Sequence, residues 1–230
     1  MFDNFTPAEW DTIFLSLRVS LAAVVFSLPF GLFFGWLLAR KNFPCKTLLD
    51  ALLHLPMVIP PVVTGYILLI LFGRRGVFGS FLDSVFGFTF AFNWKGAALA
   101  SAVVAFPLMV RAIRLSMEAV SPGLELAART LGASKIRTFF TITLPLSFSG
   151  IVAGLVMAFA RSLGEFGSTI TFVSNIPGET RTLPLAIYSQ LQVPGGELAA
   201  ARLSIVSLII AFAALFLSEY LARRKKKQIL

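Results

Sequence analysis

A single cysteine, Cys45, and a single histidine, His54, are the only thiol and the only imidazole among 230 residues. One thiol excludes an intrachain disulfide, and no metal-ligand cluster can be assembled around one imidazole. A GxxxxGK[ST] phosphate loop is lacking too, so nothing in the chain binds or hydrolyses ATP by itself. The expectation is a protein that is no enzyme, with no catalytic residues, no metal and no cofactor of its own. Charge is also scarce, at 13% of residues where a soluble domain carries about 25%. What fills the chain instead is apolar: 57% hydrophobic residues, 24 Phe and a mean hydropathy of +0.85. An all-α integral membrane protein is the expected class. A formal charge of +9 and a pI near 10.3 would suit nucleic acid. The basic residues lie at the ends of apolar runs rather than along a soluble face, which excludes that partner.

Five apolar runs, at about 13–38, 52–72, 96–113, 148–172 and 203–222, reach the roughly 17–25 residues that a membrane-crossing helix needs. None shows the period-2 alternation of barrel strands, and unpaired backbone groups are not tolerated in lipid, so helices are expected. One domain would then cover 13–222, with 1–12 outside the membrane and a basic tail at 223–230. With the amino terminus outside, Arg40, Lys41, Lys46, Arg111, Arg114, Arg129, Lys135, Arg137 and the tail residues Arg223, Arg224, Lys225, Lys226 and Lys227 share one side. Arg18, Arg74, Arg75, Lys95, Arg181 and Arg202 fall on the other. By the positive-inside rule the first group is cytoplasmic, which makes the amino terminus periplasmic. Asp3, Glu9 and Asp11 precede the first run and Arg40 and Lys41 follow it, the reverse of a cleavable signal, so the run is expected to stay as the first span. The tail is expected to fix topology and to bind anionic membrane lipid.

The longest polar interruption is 121–145, SPGLELAARTLGASKIRTFFTITLP. Ser121 as N-cap, Pro122 as first helical residue and Gly132 as a left-handed stop predict one short helix. Ser134 caps a second, which Pro145 ends. The pattern Ala127, Ala128, Gly132, Ile142, Leu144 and Pro145 resembles the EAA loop of permease subunits of binding-protein-dependent ABC importers. The resemblance implies a type I importer bundle in which 118–147 is the coupling loop, seated in a groove of a cytoplasmic ATPase, with Glu125 and Arg129 among its contacts. Leu126 stands where that family usually carries glutamate. The acid sits one residue earlier, a rotation of about 100° on a helix.

Two stretches inside the spans are irregular. HLPMVIPPVVTGY holds His54, Pro56, Pro60, Pro61 and Gly65, and its prolines break the helical ladder. Such a break suits either a pathway-lining segment or a kinked packing helix. His54 has Asp50 as its nearest acid and is expected to be structural. In the fourth run Arg161 and Glu165 are four apart, neighbours on one helix face and deep in the membrane. Gly164 and Gly167 would let that helix bend, so the pair serves a hinge, a gate or the substrate. Arg111 and Arg114 share a face of the third run and are expected to meet the coupling loop or lipid phosphate. The external loop from 73 to 94 would lie along the membrane surface or touch an outside partner.

The strings GEFGSTITFVSNIPGETRTLP, AARTLGAS and FTITLPLS are similar to the molybdate branch of the oxyanion importers. That resemblance implies two copies forming a pore, two ATPase subunits that use the ATP, and a periplasmic molybdate-binding protein. Sulfate and tungstate permeases share the architecture and remain alternatives. An ion-coupled carrier would show an internal repeat and midplane coupling residues, and no clear repeat is present. A membrane-embedded enzyme would need paired catalytic groups within the spans, and these are missing.

Overall fold

The structure, a computed structural model, describes residues 5–229, with side chains as far as Leu217 and at Glu219 and Tyr220. Asp3 and the five basic tail residues lie outside the described side chains. Among the described residues every regular element is helical. Three helices are long and apolar enough to cross a membrane, and five spans result if each of two bent helix pairs counts as one.

Helix α1, Pro7–Arg40, begins earlier than hydropathy suggests because its cap is built from polar residues. Thr6 Oγ1 accepts from Glu9 N at 3.3 Å while Glu9 Oε2 accepts from Thr6 N at 2.7 Å, a reciprocal capping box. At 1.5 Å per residue its 34 residues extend about 51 Å, well beyond a hydrocarbon core of about 30 Å. The terminus expected at 1–12 is therefore helical from Pro7 onward. That overhang is held by Glu9, paired with Arg202 at 2.9 Å, and by Ser16 Oγ, which accepts from Leu183 N at 2.6 Å. Arg18 stacks on Trp94, 3.8 Å from its ring centroid, which levels the overhang with the start of the third span.

The expected second span is two helices, α2 (Lys46–Val58) and α3 (Pro61–Phe72), bent by 111°. The cause is steric: Ile59, preceding a proline, is driven extended at φ −74°, ψ 150°, and neither Pro60 nor Pro61 has an N–H to give. No residue of α2 is buried, whereas α3 packs into the bundle. The loop from 73 to 94 contains a short apolar helix, α4 (Val77–Phe86), which hydropathy left as loop.

Helix α5, Trp94–Glu118, is the axis of the bundle, and Met109, Val110, Ile113 and Met117 on it are fully buried. Helix α1 crosses it on one side at Gly31 and Gly35; a Cβ at Gly35 would come within 2.6 Å of the Ile113 side chain. From the other side α8 (Phe148–Leu163) crosses at Gly150 and Gly154, where a Cβ would collide with Ser116 and press on Met109 O. Both pairs have the four-residue spacing that lets apolar helices approach closely in lipid.

The chain between α5 and α8 forms α6 (Pro122–Thr130) and α7 (Lys135–Leu146), the latter loosened into a π-turn over Phe139–Thr143. α7 does not end at Pro145 as expected. It runs to Leu146 and bends by 68° into α8. The expected fourth span is broken again after Leu163, and α9 (Gly167–Val173) completes it. Helix α10 (Leu183–Leu191) then precedes α11 (Glu197–Ile229), whose apolar window is mostly uncovered.

Replacing Gly150 with leucine is expected to cost about 1–3 kcal/mol by overpacking, seen as a lower unfolding midpoint in detergent. Gly123→Ala, where a new Cβ meets only Ser121 Oγ at 3.5 Å, is expected to leave it unchanged. Equal midpoints for the two variants would contradict the close crossing.

Candidate functional site: a helix pair locked to the bundle

Helix α6 ends as its glycine suggests. Gly132 adopts φ +88°, its N–H bonds Arg129 O at 3.1 Å, and Ala133 N bonds Ala128 O at 3.0 Å. This is a Schellman closure, open to glycine without a Cβ penalty. Ser134 Oγ caps α7, accepting from Arg137 N at 3.2 Å. Ser121 occupies the N-cap of α6 but makes no capping hydrogen bond through its side chain, so Pro122 alone sets that start.

Glu125 turns toward the bundle. Its Oε1 accepts from Arg40 at 2.8–3.0 Å and from Thr143 Oγ1 at 2.7 Å. Arg40 Nη2 also donates to Val120 O at 2.8 Å. One carboxylate thus fastens α6 to the end of α1, the exit of α5 and the π-turn of α7. The one-residue displacement of the acid has a geometric consequence. Leu126, rotated about 100° away, is 61% exposed, and Leu131 is 89% exposed. Ala127 and Arg129 lie on the same open side, while Ala128 is half-buried. Of the second-helix residues, Leu144 packs on the core around Met109 and Ile113, Ile142 is half-buried and Pro145 is exposed. Arg40 and Thr143 were missed from the sequence. Arg40 reads there as an ordinary span-end charge, and its partner is 85 residues away.

Arg111 borders a cleft shared with Ser121 and Leu124 of the helix pair, while Arg114 is held elsewhere. Arg114 pairs with Asp50 of α2 and Glu118 of its own helix, each at 2.8 Å, and Arg111 also lines the cleft beside them. His54 Nδ1 lies 2.8 Å from Asp50 O and 3.2 Å from the Asp50 carboxylate, within that structural network.

The second group of candidates sits where the two broken spans face each other. A Cβ on Gly167 would come 2.9 Å from Pro61 Cβ, and one on Gly65 2.6 Å from Ser168 O. The break at Pro60–Pro61 thus lies against the break before α9. Arg161 and Glu165 are paired at 2.7 Å but not along an unbroken helix. The helix stops at Leu163, and the buried carboxylate of Glu165 starts α9 by accepting from Ser168 N and Oγ, both at 2.8 Å. Glu165 is 1% exposed and Arg161 33% exposed in their side chains. Gly164, at φ −89°, ψ 7°, has backbone angles open to any residue, so the bend comes from the Glu165 cap rather than from glycine freedom. Near the breaks, Thr64, Ser162 and Thr169 bury hydroxyls that make no hydrogen bond among the described residues.

The all-helical bundle, with three to five candidate spans and two broken ones facing each other, is of the multi-pass membrane class. The family profile described as binding-protein-dependent transport system inner membrane component matches residues 27–227, and the chain belongs to that family. It is 62% identical to the molybdenum transport system permease protein ModB of Escherichia coli K12, over 97% of each chain. Its identity to the ModB of Haemophilus influenzae is 58%, over 96% of each. In fold it resembles a chain of a bacterial alginate ABC transporter solved with an alginate-bound periplasmic protein, at a TM-score of 0.76 and 17% identity, over 97% of this chain and 83% of that one.

Arg161→Met alone strands a buried carboxylate, which costs about 3–5 kcal/mol. Arg161→Met combined with Glu165→Gln removes the stranded charge and keeps an oxygen for the α9 cap. The double variant is expected to unfold at the higher temperature; a lower midpoint for the double would show that the two residues do not compensate each other.

Proposed function

We propose that this chain is the pore-forming subunit of an ATP-driven importer that carries molybdate across the bacterial cytoplasmic membrane. In this proposal two copies enclose the pathway, each seats its 118–147 segment on one of two cytoplasmic ATPase subunits, and a periplasmic molybdate-binding protein delivers the anion. The observation that carries the proposal is the α6 surface: exposed leucines and Arg129 on a helix tied to three other elements, in a chain that matches molybdenum permeases end to end. An exposed apolar face on a rigid mount suits docking into a groove of a partner that moves. The distribution of basic residues supports a cytoplasmic placement for it and a periplasmic amino terminus.

Within the bundle, the facing breaks at Pro60–Pro61 and 164–166 are the proposed pathway. Non-helical backbone at membrane depth is stable where protein or a water-filled cavity satisfies it, and the buried hydroxyls of Thr64, Ser162 and Thr169 lie beside the breaks without a hydrogen bond among the described residues. Glu165 neutralises Arg161 and orients it, leaving a third of that arginine open. A tetrahedral oxyanion passing the opening would meet guanidinium N–H donors whose charge is already paired, a contact that can guide it without trapping it. Driving the ATPase subunits together would move the two helix pairs, and with them α1 and α5, between inward-facing and outward-facing arrangements. Hydrolysis would reset them.

Uptake into proteoliposomes that contain this chain, its ATPase and the binding protein tests the proposal. Molybdate uptake is expected only with ATP and is expected to persist in excess sulfate. Uptake blocked by sulfate would replace the substrate while keeping the importer, and ATP-independent uptake would contradict the importer itself.

A further inference from the structure

Between the end of α1 and the helix pair lies a cleft of about 650 Å³, whose α6 rim includes Leu126 and Arg129 of the proposed docking surface. Four cations border it, Arg40, Lys41, Arg129 and Lys135, against one carboxylate, Glu125. Arg40 takes that carboxylate, and none of the other three makes an ion pair among the described residues. A second cleft of about 390 Å³ continues from the first, sharing Trp36, Lys41, Lys135 and Phe139. Its far end is apolar, closed by Pro29, Leu32, Phe33 and Phe140. It opens beside the outward face of α1, where Phe26, Phe30 and Phe33 are each more than half exposed. Trp36 stands at the junction, edge-on to Phe139 with centroids 6.3 Å apart and with Lys41 Nζ 5.5 Å from its own ring centroid.

We propose that these joined clefts hold one anionic phospholipid of the adjoining leaflet, its phosphate between Lys41 and Lys135 and one acyl chain along Phe33 and Phe140. The two halves match the two halves of that molecule. Lysines at the rim and tryptophan at the junction are the side chains that sit at a headgroup boundary, and basic pockets between membrane helices bind anionic headgroups. A free phosphate would leave the apolar half uncovered. A bound lipid would fill the space beneath the Arg40–Glu125 contact and stiffen the joint between α1 and α7. The proposal rests on the membrane placement of α1 but not on any substrate, and its test reads no transport.

The test is lipid retention by the full chain, extracted from bilayers of phosphatidylglycerol or of phosphatidylcholine and weighed by native mass spectrometry. Phosphatidylglycerol is expected to stay bound through washing that removes phosphatidylcholine. Each lysine near an anionic headgroup contributes about fivefold in affinity, so Lys41→Gln with Lys135→Gln is expected to reduce retention by roughly 25-fold. Arg74→Gln with Arg75→Gln removes the same charge elsewhere and is expected to change nothing. Phe33→Ala with Phe140→Ala is expected to weaken retention while keeping the preference for the anionic lipid. Equal retention of both lipids, no effect of the lysine changes in a variant that stays folded by circular dichroism, or full displacement by inorganic phosphate would each overturn the proposal. So would retention that vanishes when the chain is assembled with a second copy or with its ATPase, since the clefts would then belong to a protein interface.

Discussion

The ion pair between Arg40 and Glu125 is the contact on which the arrangement of the helix pair depends. Helix α6 has no buried residue of its own, so packing cannot orient it. A nine-residue helix is also too short to be stable alone in water. What gives it one orientation is a carboxylate with two donors and an arginine with two acceptors, reaching α1, the end of α5 and α7 at once. Both side chains are mostly shielded, so solvent weakens the pair less than it would an open surface bridge. Turning Glu125 inward also turns Leu126 outward, and the same contact thereby creates the surface proposed for docking.

In the proposed mechanism a push on α6 would be carried into the membrane through close backbone crossings. α1 and α8 both approach α5 at glycine pairs, leaving little side-chain cushioning between backbones. α5 is the most buried of the three continuous spans and α11 the least, so α1, α5 and α8 form the inner packed unit and α11 lies at its edge against α8 and α10. The two broken spans meet each other through α3 and α9 instead. In the proposed mechanism α6 with α1 and α5 is the lever, and the two facing breaks, stapled by Glu165 and Pro61, are the pathway.

Much of this was legible in the residues, and the limits have physical causes. Gly132 and Ser134 act through atoms within a few positions of themselves, so the turn between α6 and α7 is written locally. Pro60 and Pro61 announce a break for the same reason, although the 111° angle depends on how α3 packs against α9. In the fourth run Gly164 and Gly167 announced a bend, but that the helix stops at Leu163 and restarts at Gly167 emerges only with a buried Glu165 capping α9. The overhang of α1 escaped because it is held by polar bonds to residues more than 160 positions away. Arg40 was read as a span-end charge and Asp50 only as the acid nearest His54, since their partners Glu125 and Arg114 become neighbours only after the chain has folded. Membership of the permease family was carried by the AARTLGAS loop and by the longer strings around Glu165, both stretches where backbone geometry restricts the side chains.

The most direct measurement of the lever is the distance between its two ends through the nucleotide cycle. Spin labels at Asn42→Cys and Thr130→Cys, in a chain with Cys45→Ser, report across the Arg40–Glu125 contact by double electron–electron resonance. A single narrow distance is predicted within one subunit, unchanged between the nucleotide-free and ATP-bound complexes, while the distance between the two copies of position 130 shortens. Introducing Arg40→Ala is predicted to broaden the first distance. A within-subunit distance that changes with nucleotide in the unaltered contact would contradict the account, because α6 would then move on the bundle rather than with it.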